Sequence, residues 1–277
     1  MPYATINGLR LYYEVHGDSG DPLVLVHGYT GDIADWHHQV PEFSRTHRLL
    51  IFDNRGHGRS EAPTDRSAYT VRQMSRDVEA LAAHVGFERY HLLGHSMGGA
   101  VVQEIAVRNP EKLLSLTLQN TSYRFQTLNA DPRVIEWRNR RFELAETQGM
   151  AAAAEVEPPM PQPPHMPAER LEESRERLAR MSVDAFIGAW HGLVEWEGSE
   201  GRAQAVTAPT LIIYGDLDAP MLIEGSNRLA ELIPNAAVEV IPETGHSPQW
   251  ERPALFNAAL RRFLERHAVA RAARVSP

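Results

Sequence analysis

The sequence contains no cysteine. Disulfides, thiolate nucleophiles and cysteine-bound metals are therefore excluded. It has a single lysine, Lys112, so arginine carries nearly all of its positive charge. Acidic side chains outnumber basic ones, and the net charge is −8 at pH 7. A field of that sign opposes general binding to nucleic acid, which is not expected as a partner. No run of about 18 apolar residues occurs, so neither a transmembrane helix nor a membrane partner is expected. The segment Met1-Pro2-Tyr3-Ala4-Thr5 lacks the basic and apolar regions of a secretory signal, and a cytoplasmic location is the expectation. No His, Asp and Glu set has metal-ligand spacing, so neither a metal nor another cofactor is expected. What remains is ordinary for a globular chain: 277 residues, 43% hydrophobic and 23% charged. That length suits one large domain, or a core domain with an insertion.

Apolar runs and turn residues divide the chain into alternating strands and helices. Ala4 to Gly8 and Leu9 to Val15 flank an Asn7-Gly8 turn, a hairpin signal. Pro22-Leu23-Val24-Leu25-Val26 is continuously apolar, as expected of a central strand covered on both faces. Leu49 to Phe52, Tyr90 to Leu93, Leu113 to Leu118, Thr210 to Tyr214 and Ala237 to Ile241 read as further strands. Val71, Met74, Val78, Leu81 and Val85 have helical spacing, closed by Gly86. Pro253 begins a closing helix that runs to His267, and Ala268 to Pro277 reads as a frayed tail. Strands alternating with helices imply a mostly parallel sheet. In such sheets ligands bind beyond the carboxyl ends of the strands.

About ninety residues between Leu118 and Thr210 contain no convincing strand. Asp131 to Gln148, Ala168 to Met181 and Val183 to Trp196 have helical patterns, and the proline-rich run Glu157 to Pro164 reads as a stiff linker. A structureless loop of that length is uncommon. The division expected is a core of residues 1–122 and 207–277 with a helical cap, residues 123–206, inserted over the strand ends.

Gly94-His95-Ser96-Met97-Gly98 lies between an apolar run and a helical pattern. A Gly-x-Ser-x-Gly segment there makes a sharp strand-to-helix turn that lifts the serine hydroxyl above the sheet. Both glycines are required where a Cβ would strike a neighbouring element. Serine at neutral pH needs a base, and the base needs an orienting group. Among the 13 histidines, His246 is placed for this, in a Gly-His turn after the last strand. Asp216 and Asp218 both follow the strand ending at Tyr214. Asp53 to Ser60 invites a metal or phosphate reading, but a glycine-broken loop tied down by Asp53 and Arg55 is preferred. His27 is read as a side chain that braces its loop.

In order, His27-Gly28-Tyr29-Thr30-Gly31, Asp53-x-Arg55-Gly56-x-Gly58-x-Ser60, Gly94-His95-Ser96-Met97-Gly98-Gly99, Gly215-Asp216-Leu217-Asp218 and Gly245-His246 resemble the α/β-hydrolase superfamily. The likeness runs from about Tyr3 to Leu264 and is to its lid-bearing single-domain serine hydrolases. It implies an α/β-hydrolase fold: a mostly parallel eight-stranded sheet flanked by helices, with an inserted helical cap. Its Gly-x-x-Asp pattern selects Asp218 over Asp216, giving a catalytic set of Ser96, Asp218 and His246. It also implies an oxyanion hole from the backbone N–H groups of Tyr29 and Met97.

The resemblance leaves the substrate open. A serine nucleophile argues against the haloalkane dehalogenase and epoxide hydrolase branches, whose nucleophile is aspartate. His95 before the nucleophile and Ser247 after the histidine depart from the meta-cleavage hydrolases. The oxyanion loop also lacks the Gly-Gly-Gly-Pro-Gly run of proline iminopeptidases. The leading expectation is hydrolysis of a carboxylic ester or lactone through an acyl-enzyme. The alternatives are a carbon–carbon bond hydrolase acting on a diketone, a cofactor-free oxygenase or perhydrolase, and a ligand-binding receptor of the same fold. Trp137, Phe186 and Trp190 are the first candidates for the pocket wall, with Phe142, Met150, Met160, Met166 and Trp196 behind them. So many apolar residues favour a small-molecule substrate with a hydrophobic group over a highly charged one.

Overall fold

The structure is a computed structural model and describes residues 2–159 and 163–269. Met160, one of the pocket candidates, lies outside them, as do Pro161 and Gln162 of the linker and most of the C-terminal tail. Eight strands form one sheet: β1 (Tyr3–Ile6), β2 (Leu9–His16), β3 (Pro22–Val26), β4 (Arg48–Phe52), β5 (Tyr90–His95), β6 (Leu113–Gln119), β7 (Thr210–Gly215) and β8 (Ala236–Ile241). Their order is β1-β2-β4-β3-β5-β6-β7-β8. The first two pairings are antiparallel and all others parallel. The Asn7-Gly8 turn makes the hairpin, with both residues at positive φ.

Burial follows position in the sheet. Every residue of β5, β6 and β7 is buried, because helices cover both faces. β8 is the edge, and its Val238 and Val240 are exposed. One apolar cluster lies under α2 (Val71–His84) and α3 (Met97–Arg108), and a second lies under α10 (Pro253–Arg266). The short α1 (Val40–Phe43) adds Phe43 to the second.

Between β6 and β7 the described residues contain no strand. They form α4 (Pro132–Gln148), α5 (Met150–Ala154), α6 (Ala168–Ala179) and α7 (Val183–Val194). α5 is absent from the sequence reading. It is a single short turn region of alanines set off by Gly149 at φ 90°. A second helix the periodicity did not indicate is α8 (Pro220–Leu232), followed after β8 by the short α9 (Pro248–Glu251). α8 turns Gly225 and Ser226 inward beside Leu222, Leu229 and Leu232. A Cβ at Gly225 would overlap Ser122, so small residues interrupt its apolar stripe. No helix among the described residues is long and apolar enough to cross a membrane.

The chain order reverses at β3, which pairs with β4 on one side and β5 on the other. A crevice therefore opens between the ends of β3 and β5, where Val26 pairs with Gly94. α3 begins there, pressed against β3. A Cβ on Gly98 would overlap the Val26 carbonyl oxygen, and one on Gly94 would overlap the Gly98 carbonyl. Neither obstacle is a flexible side chain, so the backbone itself would have to move. Gly98→Ala is therefore expected to destabilise the fold by about 1–3 kcal/mol, read as a lower urea midpoint at unchanged slope. An unchanged midpoint would show that the crossing is looser than the geometry implies.

Candidate active site

Non-glycine residues at positive φ are uncommon and mark turns or strain. Among the described residues, apart from Asn7, four are found, and all lie beyond carboxyl ends of parallel strands: Thr30, Ser96, Asn120 and Glu243. Ser96 sits at φ 53° and ψ −116° between β5 and α3. Its backbone is anchored by an N–H bond of 2.9 Å to the Gln119 carbonyl, and its own carbonyl accepts from Thr121 at 2.8 Å. The turn leaves the Ser96 side chain on the wall of a cavity of about 420 Å³.

His246 reaches the same cavity from the loop after β8. That loop is held from below. Glu251 accepts from the N–H groups of Gly245 at 2.6 Å and Ser247 at 2.9 Å. The His246 carbonyl accepts from Nε2 of His95 at 2.8 Å. Burial pushes His95 down to about 4, helped by the neighbouring imidazole of His246, so it is neutral and can donate only once.

Asp218, after β7, is buried and faces the His246 ring, with its carboxylate oxygens 3.0 and 3.1 Å from Nδ1. Asn120 donates to the same carboxylate at 2.9 Å and to the Gly245 carbonyl at 3.1 Å, so it ties the two loops together. The Ala219 N–H adds a bond of 2.8 Å. Burial alone would raise the Asp218 pKa, but the His246 imidazole and these donors outweigh it and hold the group below its ordinary value. For His246 burial pulls the pKa down, and the Asp218 carboxylate wins and raises it above 6.5. The ring is 40% exposed, yet what it faces is the cavity. With Nδ1–H given to Asp218, Nε2 carries the free lone pair. No hydrogen bond joins Nε2 to the Ser96 hydroxyl among the described residues, and such contacts tighten when substrate is bound.

Asp216 stands apart. It is exposed and accepts from the Thr244 N–H at 3.3 Å. Asp53 is occupied by the N–H groups of Ile33 and Arg59, both at 2.8 Å, and Arg55 pairs with Asp77 at 2.6 and 2.8 Å. These bonds fix the loop after β4. His27 does the same for its own loop, through Gly28 at 2.8 Å and the Asn54 N–H at 2.9 Å. No three His, Asp or Glu side chains among the described residues are placed to hold a metal ion.

The two backbone donors named from the resemblance are unused among the described residues. The Tyr29 and Met97 N–H groups have no acceptor among the described residues, and Met97 opens α3, where a helix leaves its first N–H groups free. The Tyr29 side chain is engaged elsewhere. Its hydroxyl donates to the Phe186 carbonyl at 2.8 Å, and its ring packs on Phe186 and Trp190, each at 5.6 Å.

Trp137, Trp190 and Met166 line the cavity. Phe186 does not, which corrects its assignment to the wall. It is 1% exposed, wedged between Tyr29 and Phe142, so it packs α7 onto the core rather than facing a ligand. Phe142, Met150 and Trp196 are likewise absent from the wall. The sequence reading missed Asn120 and Arg141, the latter buried on the cavity wall. Asn120 has a signal in hindsight, since it too follows a strand end. Arg141 has none.

A family model described as the alpha/beta hydrolase fold matches residues 21–253. The chain belongs to that family. This α/β hydrolase is 30% identical to a protein named putative carbamate hydrolase RutD of Variovorax paradoxus, over 93% of this chain and 97% of that one. The enol-lactonase from Burkholderia xenovorans superposes with a TM-score of 0.81 at 26% identity, covering 95% and 100% of the two chains. A thermophilic esterase from Thermogutta terrifontis gives 0.82 at 28%, covering 96% and 98%. With these relatives, the α/β hydrolase is an enzyme of the hydrolase class.

The electrostatic balance at His246 yields a direct expectation. In the intact protein the ring titrates above 6.5. Asp218→Asn removes the charge that does most to stabilise the imidazolium and leaves the burial that opposes it, so the pKa falls relative to the intact protein. Histidine ring NMR across pH 4–9 reads both values, and an unmoved titration would contradict the pairing.

Proposed function

We propose that this α/β hydrolase cleaves a carboxylic ester or lactone through an acyl-enzyme. The observation that carries the proposal is the pairing of a buried Asp218 with His246 at the rim of the cavity that the strained Ser96 enters. Ser96 Oγ attacks the carbonyl carbon while His246 Nε2 takes its proton. Asp218 keeps Nδ1 protonated and stabilises the imidazolium that forms. The carbonyl oxygen, now negative, receives the N–H groups of Tyr29 and Met97. Each such donor is worth about 3–4 kcal/mol of barrier. Collapse expels the alcohol, which takes the proton from His246. Water then attacks the acyl carbon as His246 takes its proton, and His246 returns that proton to Ser96 Oγ as the acyl–oxygen bond breaks and the acid leaves.

The relatives support this acyl chemistry. One solved neighbour is named as an enol-lactonase and another as an esterase. The relative named as a putative carbamate hydrolase widens the class, since a carbamate presents the same carbonyl to the same donors.

Residues 123–206 are proposed to act as a lid that selects substrate and supplies no catalytic group. α6 is bound to the core through charge: Arg170 and Arg177 both pair with the buried Asp35, and Arg177 also meets Asp32 at 3.0 Å. The Arg170 guanidinium stacks over Trp250 at 4.3 Å, four residues past His246. α7 is joined through Tyr29. A cover fixed at these points excludes water and completes the pocket.

Two outcomes test the reading. Ser96→Ala should lower kcat on an activated ester by a factor of order 10⁶, the deficit seen when a triad nucleophile is lost, with the melting temperature kept. Activity within tenfold of the parent would overturn the acyl-enzyme. Trp190→Ala enlarges the wall and should shift the preferred acyl chain to longer homologues while barely changing acetate esters. A series of p-nitrophenyl esters measures this, and an unchanged ranking would remove Trp190 from the specificity pocket.

A further inference from the structure

Among the described residues, one cation on the cavity wall has no counter-charge. Arg141, on α4, is 7% exposed and lines the same cavity as Ser96 and His246. The other charged wall groups are matched: Arg175 pairs with Glu157 at 2.8 Å, and Asp218 with His246. Arg141 has no carboxylate within 4.0 Å among the described residues. Its only hydrogen bond there is from Nε to the Ala153 carbonyl at 3.3 Å. The guanidinium is stacked over Trp137 at 4.5 Å and Phe186 at 5.0 Å. Among the described residues neither terminal NH₂ group has a hydrogen-bond acceptor.

That arrangement is costly for the protein alone. A buried charge is normally paired, and leaving one unpaired is strongly unfavourable. Stacking on two aromatic faces offsets part of the cost and supplies no acceptor. Arginine cannot escape by losing its proton. The shortage extends to its neighbours. Nε1 of Trp190, whose ring meets Trp137 edge-on at 6.1 Å, is also buried without an acceptor. The region offers donors and a fixed positive charge inside otherwise apolar walls such as Leu128, Val134 and Leu193.

We propose that Arg141 binds a carboxylate carried by the substrate, so that the enzyme prefers esters or lactones with one anionic end joined to the scissile carbonyl by an apolar spacer. The inference rests on the ester or lactone reading and narrows it. The planar guanidinium fork matches a carboxylate with two parallel bonds, and the two rings hold the fork in its plane. Binding at this remote end orients the carbonyl over Ser96 and fixes its distance from the oxyanion donors. The hydrophobic walls then select the spacer, and the single arginine sets the charge at one.

The test compares matched esters in the full-length enzyme. One series is p-nitrophenyl half-esters of glutaric and adipic acid against their methyl-capped diesters. The other is butyryl esters of 4-hydroxybutyrate against its methyl ester. In the intact enzyme kcat/KM for the anionic member of at least one series should exceed that of the neutral member by tenfold or more, mostly through KM. In Arg141→Met the ratio should collapse to near one. A ratio is independent of the folded fraction, so partial destabilisation does not blur it. Should Arg141→Met fail to fold, Arg141→Lys keeps the stem and the charge but loses the fork, and its ratio should fall between the two. No anionic preference in either series, or a preference that is undiminished in either variant, overturns the proposal. Calorimetry of valerate against its neutral amide needs no turnover. A tenfold tighter valerate in the intact enzyme, lost in the variant, supports the Arg141 site even if Ser96→Ala disproves the acyl-enzyme. Equal binding of the two ligands counts against it.

Discussion

The approach of α3 to the end of β3 is the constraint on which the site depends. Gly98 lies against the Val26 and His27 carbonyls with no room for a side chain, and Gly94 lies equally close to Gly98. That contact draws the first turn of α3 beside the loop that follows β3. It forces Ser96 into a conformation that L residues rarely adopt. It also places Met97, whose N–H opens α3, directly after the serine. The serine and the Met97 N–H are thus fixed by backbone packing, in the most buried part of the sheet. The histidine and its carboxylate arrive on loops, and those loops need additional bonds from Asn120, His95 and Glu251.

Charge is distributed unevenly around this centre. Asp35 is surrounded by Arg170 and Arg177, which hold its carboxyl at about 2 despite burial. That cluster joins α6 to the core, and each of its charges has a partner. Arg141, on the neighbouring α4, has the same buried character and no partner among the described residues. The contrast separates a structural ion cluster from a charge positioned for something that enters the cavity. Aromatic packing makes a similar division. Phe186 is consumed in fastening α7 against Tyr29, whereas Trp137 and Trp190 keep a face on the cavity.

Much of this was legible in the sequence because the elements concerned obey simple periodicities. β3 and residues 211–214 of β7 read as unbroken apolar runs, and β5 and β8 as mostly apolar ones. The Gly-x-Ser-x-Gly turn and the Gly-His turn stand at their ends. α8 escaped because its inward face uses Gly225 and Ser226 where the pattern requires large residues. Phe186 and Trp190 are one helical turn apart, and spacing alone could not tell which faced the cavity. Asn120 lies just past the run Leu113 to Leu118, and its role depends on two loops that lie about a hundred residues further along the chain. Arg141 was invisible for a different reason. An arginine on a polar helix reads as solvated, and only the fold reveals that Trp137 and Phe186 enclose it.

The central claim is that Ser96, alone among the chain's serines, is activated. Reaction of the full-length protein with a fluorophosphonate, followed by peptide mass spectrometry, tests it most directly. The account predicts one adduct per chain, on Ser96, formed faster as pH rises through the His246 pKa above 6.5. An adduct on another residue, or none over that range, would contradict it.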